Sequence, residues 1–222
     1  MTAIAIRLAS ISHRFDDQLI FNNLSLNIEA KKITAILGKS GSGKSTLLQV
    51  INGLIRPYEG SVYLFDQPLN YELIHEVRLG IGYAVQQVGL FPHLTVIENI
   101  SLPGILAGWN RSQKEKRASE LMNLVSLASS HKKKYPYQLS GGEQHRIGLC
   151  RAILLDPPIM LLDEPFSLLD PDTKQDIHQE VLKLQSEEPR CIVMVTHDPD
   201  EAIKLGDVRL KFEHGDLRAL QL

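Results

Sequence analysis

ITAILGKSGSGKS, residues 33–45, runs from an apolar strand pattern through a glycine-rich loop into the start of a helix. Residues 38–45 match the Walker A pattern GxxxxGK(S/T), in the strand–loop–helix context that confirms a phosphate-binding loop. Glycines let the backbone curl so that successive N–H groups point at phosphate oxygens, and the helix start adds its positive dipole end. The loop predicts nucleotide binding, but alone it does not distinguish a kinase, a GTPase, a helicase or a transport motor.

Individual residues of the loop have separate expected roles. We expect Lys44 to reach the β- and γ-phosphates and the Ser45 hydroxyl to bind Mg²⁺. The predicted nucleotide contacts in this segment are Gly38, Lys39, Ser40, Gly41, Ser42, Gly43, Lys44, Ser45 and Thr46.

A second apolar run, Ile159–Leu162, ends in the carboxylates of Asp163 and Glu164. Parallel α/β sheets bind ligands at the carboxyl ends of their strands, so we expect this pair beside the phosphate loop. Asp163 is suited to hold Mg²⁺ through water, and Glu164 to orient the water that attacks the γ-phosphate. Taken alone, an acidic pair at a strand end is equally common at a surface turn.

Polar residues also follow two other apolar runs. Cys191–Val195 leads to His197, which could hydrogen-bond the γ-phosphate, although a single histidine after a strand is more often structural. Ile81–Val85 leads to Gln86, which alone reads as a polar loop residue.

The apolar runs described above are typical of strands buried on both faces of a parallel sheet. Earlier in the chain, three shorter patterns predict strands at Ile4–Leu8, Leu24–Ile28 and Ser61–Phe65, with a turn at Asp16-Asp17. Helix starts are predicted at Thr95 and Ser140, and helices over Ser45–Leu54, Ser112–Leu127 (with a Ser112/Glu115 capping box) and Asp172–Ser186. Residues 95–150 therefore read as a mostly helical insert within an α/β domain.

Composition excludes several classes of protein. The formal charge of −2 gives no sign of a polyanionic partner such as nucleic acid, and Lys132-Lys133-Lys134 reads as a solvated loop. Cys150 and Cys191 lack metal-ligand or disulfide spacing, which fits a reducing cytoplasm. We expect no signal peptide, and no apolar run reaches the roughly 18 residues of a membrane-spanning helix.

Leu139-Ser140-Gly141-Gly142-Glu143 resembles the LSGGQ signature of ABC ATPases, and like that signature it lies between Walker A and Walker B. The resemblance then covers nearly the whole chain. It likens Phe15 to the aromatic residue that stacks on adenine, Gln86 to the Q-loop glutamine, residues 167–170 to the D-loop and His197 to the switch histidine. It implies a single ABC ATPase domain over 1–222. The implied fold is an α/β P-loop NTPase (RecA-like) core sheet, with an N-terminal antiparallel β-subdomain and an inserted α-helical subdomain.

The resemblance also implies how the chain works. ATP with Mg²⁺ would lie between Walker A of one copy and the signature of a second copy, in a head-to-tail homodimer. It implies catalytic roles for Lys44, Gln86, Glu164 and His197, metal contacts for Ser45, Gln86 and Asp163, and further nucleotide contacts for Phe15, Ser140, Gly141, Gly142, Glu143 and Asp170.

Two of these assignments leave alternatives open. Glu143 stands where glutamine is commonest, so its carboxylate either weakens dimer closure or completes a capping box with Ser140 and points away from phosphate. Phe15 either stacks on adenine or belongs to the core.

The segment Gly82–Thr95 is similar to the Q-loop region of bacterial importers of glycine betaine, carnitine or choline, and Tyr135-Pro136-Tyr137 fits importers as well. This implies transmembrane permease subunits and a substrate-binding protein as partners, with the chain peripheral on the cytoplasmic face of the membrane. Leu90, Phe91 and Leu94 would offer the permease an exposed apolar contact, although Phe91 fits a core role equally well. Many members of that group carry a C-terminal regulatory extension, and we expect none after His197. The alternatives are an ABC exporter, an importer of another solute such as an amino acid, or an ABC ATPase without a transporter.

Overall fold

A computed structural model describes residues 3–86, 89–167, 169–213 and 215–220 of the chain. Its strands are β1 (Ile4–Phe15), β2 (Gln18–Glu29), β3 (Ile33–Leu37), β4 (Glu59–Leu64), β5 (Gln67–Pro68), β6 (Ile81–Ala84), β7 (Ile159–Asp163), β8 (Cys191–Thr196), β9 (Val208–Glu213) and β10 (Asp216–Ala219). Its α-helices are α1 (Lys44–Ile51), α2 (Ile74–Leu79), α3 (Val96–Leu106), α4 (Arg111–Leu124), α5 (Gly141–Ile153), α6 (Pro171–Glu187) and α7 (Pro199–Leu205). Gln87 and Val88 of the predicted Q-loop region and Leu168 of the predicted D-loop lie outside the described residues.

The strands form two sheets. An antiparallel sheet has the order β2-β1-β4-β5, and the turn between β1 and β2 lies at Asp16-Asp17 as predicted. The other sheet has the order β10-β9-β3-β8-β7-β6, in which all neighbours are parallel except the β10–β9 pair. This arrangement confirms the predicted fold class of a parallel core sheet with an N-terminal antiparallel β-subdomain.

Alternation along the central strands explains their continuous apolar sequences. In β7, Met160 and Leu162 pack into one buried cluster with the helical insert, while Ile159 and Leu161 pack into a second cluster with α1. Successive side chains of a strand point to opposite faces, so a sheet covered on both faces needs apolar residues at every position. The four predicted buried strands therefore appear as β3, β6, β7 and β8, within one residue of their expected ends.

The helical insert contains α3, α4 and α5, together with short 3₁₀ segments at Ser129–Lys133 and Pro136–Gln138. The capping boxes at Thr95 and Ser140 are both present. The prediction of a capping box between Ser112 and Glu115 is wrong. Asn110 caps α4 instead, because its side chain accepts from Gln113 N at 3.0 Å and its own N–H donates to Gln113 Oε1 at 3.0 Å.

Some boundaries also differ from the sequence prediction. Helix α1 ends at Ile51 rather than Leu54, since Gly53 adopts a φ of 65° and turns the chain away from the helix axis. Helix α4 ends at Leu124 rather than Leu127. The elements α2, α7, β5, β9 and β10 were not predicted. Among the described residues, no helix combines the length and apolar character needed to cross a bilayer.

Candidate functional site

The carboxyl edge of the parallel sheet gathers the predicted site residues. The phosphate loop follows β3, Gln86 lies two residues after β6, Asp163 ends β7 and His197 follows β8. Because parallel strands point the same way, these four segments meet at one edge. The prediction that the acidic pair lies beside the phosphate loop is confirmed, because Ser45 Oγ donates to Asp163 Oδ1 at 3.0 Å.

The end of the phosphate loop, where α1 begins, offers backbone donors to an anion. Gly43 is the N-cap of α1 with a φ of 108°, and a Cβ there would come within 2.7 Å of Ile20 Cγ2, so only glycine fits. The first turn of α1 has no side-chain cap and no acidic residue. The first N–H groups of a helix have no intrahelical acceptor, so this turn suits a phosphate group. The buried Ser42 hydroxyl, which has no hydrogen-bond partner among the described residues, fits the same ligand.

Lys44 is buried at the base of this loop, with 4% of its surface exposed. Its Nζ donates to the carbonyl oxygens of Gly38 at 2.7 Å and Lys39 at 2.8 Å, and lies 3.9 Å from Glu164 Oε1. Burial lowers the pKa of this ammonium, while the carboxylates of Glu164 and Asp163 oppose that shift. A buried cation held mainly by neutral carbonyls is suited to a polyphosphate.

The paired oxygens of Ser45 and Asp163 suit a hard divalent cation. Asp163 is 5% exposed, and burial raises the pKa of its carboxyl, with a smaller contribution from Glu164 and an opposing one from the Ser45 hydrogen bond. Within the described part of the chain, no cluster of three or more His, Cys, Asp or Glu residues could hold a metal by itself. Mg²⁺ commonly takes one or two protein oxygens and completes its shell with water and substrate phosphate, which this pair fits.

Glu164 lies at the centre of the polar cluster. Its Oε2 accepts from Gln86 Nε2 at 3.1 Å and lies 3.1 Å from His197 Nδ1. Its backbone has a φ of 48°, in the left-handed region that costs a non-glycine residue about 1–3 kcal/mol, and its N–H donates to Val195 O at 3.0 Å. Strained backbone at a buried carboxylate is typical of a functional site.

An open cavity of about 760 Å³ extends from His197 over residues 38–42 of the phosphate loop. That volume is within the usual range for small-molecule sites. Its lining includes residues that sequence reasoning missed, because they come from β2 and β9: Leu19, Ile20, Lys211, Phe212 and Glu213. The alternation Val208-Arg209-Leu210-Lys211-Phe212 is the sequence signal that could have revealed β9.

Phe15 ends β1 with 47% of its surface exposed, and its ring meets His13 edge to face at 4.9 Å between centroids. Phe15 is therefore not a core residue. It does not belong to the lining of the 760 Å³ cavity, so its contact with adenine stays a prediction.

The signature segment forms the N-terminus of α5, within the helical insert. Ser140 N donates to Glu143 Oε2 at 2.8 Å, and Glu143 N donates to Ser140 Oγ at 3.2 Å. Of the two interpretations of Glu143, the capping box is the one present in the structure. A Cβ added at Gly141 would meet nothing within 4 Å, so the backbone is open to an approaching ligand there.

The remaining predicted positions are Asp170 and the apolar residues Leu90, Phe91 and Leu94. Asp170 caps α6 by accepting from Thr173 N at 3.0 Å. The exposed apolar contact predicted at Leu90, Phe91 and Leu94 is correct only for Phe91. Leu90 is half-buried because it packs against the core cluster beneath the helical insert, and Leu94 is half-buried as well.

The chain is a P-loop nucleotide-binding protein, as defined by its fold together with the phosphate loop and the acidic pair. A family profile described as ABC transporter matches residues 21–167. The chain belongs to the ABC transporter family, which confirms the predicted resemblance.

Individual relatives agree with this assignment. The carnitine transport ATP-binding protein OpuCA of Listeria monocytogenes is 43% identical over 196 residues, which cover 88% of this chain and 49% of that protein. The glycine betaine uptake system ATP-binding protein YehX of Escherichia coli is 39% identical over 96% of this chain and 69% of YehX. The dimeric structure of MJ0796, a bacterial ABC transporter cassette, has a TM-score of 0.90 at 33% identity, covering 98% of this chain and 99% of MJ0796. The chain spans about half the length of several curated relatives that it matches.

Proposed function

We propose that this chain is the ATP-hydrolysing subunit of an ABC importer for a quaternary-amine osmoprotectant, and that it works as a head-to-tail homodimer. The observation that carries the proposal is the position of the Glu164 carboxylate. It contacts Gln86 and His197 and lies 3.9 Å from Lys44 Nζ, next to the Ser45–Asp163 pair. A carboxylate so held beside a phosphate loop is suited to orient water against a γ-phosphate.

The residues of this cluster would divide the reaction between them. Lys44 exchanges its contacts with backbone carbonyls for the β- and γ-phosphate oxygens of ATP. Glu164 orients the attacking water and accepts its proton as ADP and phosphate form. His197 and Gln86 hold the Glu164 carboxylate and can hydrogen-bond the γ-phosphate or the water. Stabilisation by fixed groups is the main way in which proteins accelerate phosphoryl transfer.

Mg²⁺ would be held by Ser45 and Asp163, with Gln86 near enough to the cluster to join its hydration shell. The bound ion would neutralise charge that develops on the phosphate oxygens. Phe15, the loop residues 38–46 and the cavity beside them would hold the rest of the nucleotide.

A second copy of the chain would complete each site. Ser140, Gly141 and Gly142 would hydrogen-bond the γ-phosphate bound to the partner, and Asp170 would lie close to the same interface. The open backbone at Gly141 and the dimeric state of the MJ0796 cassette support this arrangement. ATP would favour the closed dimer because its γ-phosphate makes contacts there that ADP cannot make.

Transmembrane permease subunits, with a substrate-binding protein, would be the other partners, and the chain would then lie on the cytoplasmic face of the membrane. A groove of about 660 Å³ supports a docking site near the Q-loop, since its lining includes Tyr83 of β6, Pro103 and Leu106 of α3 and Arg151 of α5. The names of OpuCA and YehX support carnitine, glycine betaine or a related solute as cargo. Uptake of these radiolabelled solutes by cells with and without the gene would test that class.

Glu164→Gln tests the hydrolytic role. We expect ATP binding to persist while turnover falls by about 10²–10⁴-fold, because the amide cannot accept the proton of water. The variant should accumulate an ATP-bound dimer, measured by light scattering after gel filtration with MgATP. Glu187→Gln, at an exposed position late in α6, is the matched control and should behave as wild type. Normal hydrolysis by Glu164→Gln would contradict the role of Glu164, and a strictly monomeric ATP complex would contradict the shared site.

A further inference from the structure

A chain of partly buried polar contacts joins α6 to both neighbours of His197. Lys174 Nζ lies 2.6 Å from Asp198 Oδ2 and 2.6 Å from Glu201 Oε1. The other oxygen of Glu201 accepts a short hydrogen bond from the hydroxyl of Thr196. The same hydroxyl accepts from Asp198 N at 3.0 Å, which closes the network around the backbone of His197.

This network matters because packing does not hold the His197 ring. The side chain is 57% exposed, so its position depends on its contact with Glu164 and on the backbone that carries it. Thr196 is buried and fixed at the end of β8, and its carbonyl also accepts from Gly38 N at 3.1 Å. The flanks of His197 are therefore tied both to the phosphate loop and to Lys174.

Lys174 lies in the first turn of α6, and its backbone also contacts the N-cap residue of that helix. Its backbone N–H donates to Asp170 O at 2.9 Å, within the first turn that Asp170 caps. Asp170 is the residue proposed to lie at the interface with the second copy. Lys174 thus contacts the expected subunit interface through its backbone and the flanks of His197 through its side chain.

The geometry points to Lys174 as a positioning residue for ATP hydrolysis, which sets His197 against Glu164 and links that contact to the start of α6. This role rests on the proposed function. The pKa shifts of Lys174 and Asp198 favour the charged form of both groups, which agrees with this role. Burial acts to lower the pKa of Lys174, but the hydrogen bonds to Asp198 and Glu201 outweigh burial and raise it. The Lys174 hydrogen bond is the largest of the effects that lower the pKa of Asp198.

The competing explanation is that these contacts only stabilise α7, which Asp198 caps by accepting from Asp200 N at 2.9 Å. The opposite end of β8 provides a matched control for that explanation. Arg190, directly before β8, is likewise a cation between two carboxylates, those of Asp156 and Glu188, and it is more deeply buried than Lys174. It lies at the amino edge of the sheet, away from the phosphate loop.

The test compares Lys174→Met, Lys174→Arg and Arg190→Met in the purified full chain, well below the melting temperature of each variant. Both methionine variants should melt at lower temperature than wild type. Lys174→Met alone should lower kcat by about 10-fold or more with KM for ATP within about 2-fold, since a small misplacement of a positioned group suffices for such a loss. Lys174→Arg should recover most of kcat because it keeps the charge.

Equal kcat values for Lys174→Met and Arg190→Met would overturn the role of Lys174, as would a change in KM without a change in kcat. If Lys174→Met does not fold, the double variant Lys174→Met/Glu201→Gln removes the unpaired buried carboxylate and should show the same loss of kcat. A wild-type kcat in that double variant would overturn the inference equally. A wild-type chain that hydrolyses no ATP would contradict the proposed function itself, whereas an active wild type with an unaffected Lys174→Met contradicts only the inference.

Discussion

Helices α1 and α5 both have glycine at or next to their N-caps, and both N-termini are proposed to bind the same phosphate group, yet their first turns are built differently. The N-cap of α1 is Gly43, in a left-handed conformation, and the first turn has no side-chain cap and no acidic residue. The N-cap of α5 is Ser140, in an extended conformation, which forms a complete capping box with Glu143. The first is open to an anion, and the second is largely satisfied by its own side chains.

This difference suggests a division of tasks. The capping box uses the N–H groups of Ser140 and Glu143 but not those of Gly141 and Gly142. The Glu143 carboxylate also offsets part of the positive end of the α5 dipole. Helix α5 should therefore bind phosphate only weakly by itself. Affinity for ATP should come mainly from α1 and Lys44, while α5 responds to nucleotide that α1 already holds.

The largest expected effect is on the α1 side. Lys44→Ala should weaken ATP binding by about 100-fold or more, because it removes the buried cation from the phosphate site. Titration with a fluorescent ATP analogue measures the loss. Lys116→Ala, on the exposed surface of α4, is the control and should bind normally. If the affinity of Lys44→Ala is unchanged, the Walker A assignment is wrong and so is the proposed division of tasks.

An intermediate effect is expected on the α5 side. Ser140→Arg should leave ATP affinity of the monomer within about 2-fold but lower turnover by at least about 10-fold, because the large cation blocks approach of the partner's phosphate. Ser140→Ala separates the loss of the cap, which costs about 1 kcal/mol of stability, from the steric block. Binding and hydrolysis are measured on the same samples. A large drop in monomer affinity for Ser140→Arg would show that α5 binds the nucleotide of its own chain.

The smallest effect is expected for Glu143→Gln. An amide oxygen can keep the hydrogen bond from Ser140 N, so turnover should change by no more than about 3-fold, upward if the carboxylate repels phosphate. Unfolding in urea at pH 7 should show a loss of about 0.3–1 kcal/mol from the missing charge–dipole attraction. A tenfold change in turnover would instead indicate that Glu143 itself contacts the partner's nucleotide.

The stability difference between wild type and Glu143→Gln should depend on pH. Burial acts to raise the pKa of Glu143, but hydrogen bonds from Ser140 and the nearby His131 and Lys134 hold it below its ordinary value of 4.5. A carboxyl with a lowered pKa stabilises the folded state above its unfolded pKa, and this contribution disappears as pH falls through the folded pKa. The stability difference should therefore be constant well above pH 4.5 and shrink as pH falls from there through the lowered pKa of Glu143.

The sequence predicted those parts of the site that depend on local pattern. The loop at 38–45 and the strand ending at Asp163 were both correctly located, since each carries its chemistry within a few consecutive residues. The failed cap at Ser112 shows the limit of the same reasoning. Asn110/Gln113 and Ser112/Glu115 are overlapping patterns of equal quality, and the choice depends on how the chain enters α4.

Contacts between distant segments could not be predicted in this way. The hydrogen bonds from Gln86 to Glu164 and from Lys174 to Glu201 join elements that are far apart in sequence, and neither residue has a local signal. Strands β9 and β10 were missed because they are half-exposed and lack the continuous apolar runs of the central strands, although β9 forms one wall of the 760 Å³ cavity. The proposed joint use of α1 and α5 by two copies came from the family resemblance, because one chain does not reveal it.

The left-handed backbone of Glu164 has an evolutionary consequence. A glycine there would relieve the strain and favour the folded state, yet it would remove the carboxylate on which the proposed chemistry depends. Selection for robustness and selection for turnover therefore act in opposite directions at this single position. A thermostabilised variant found without an activity screen could gain its stability here at the expense of hydrolysis.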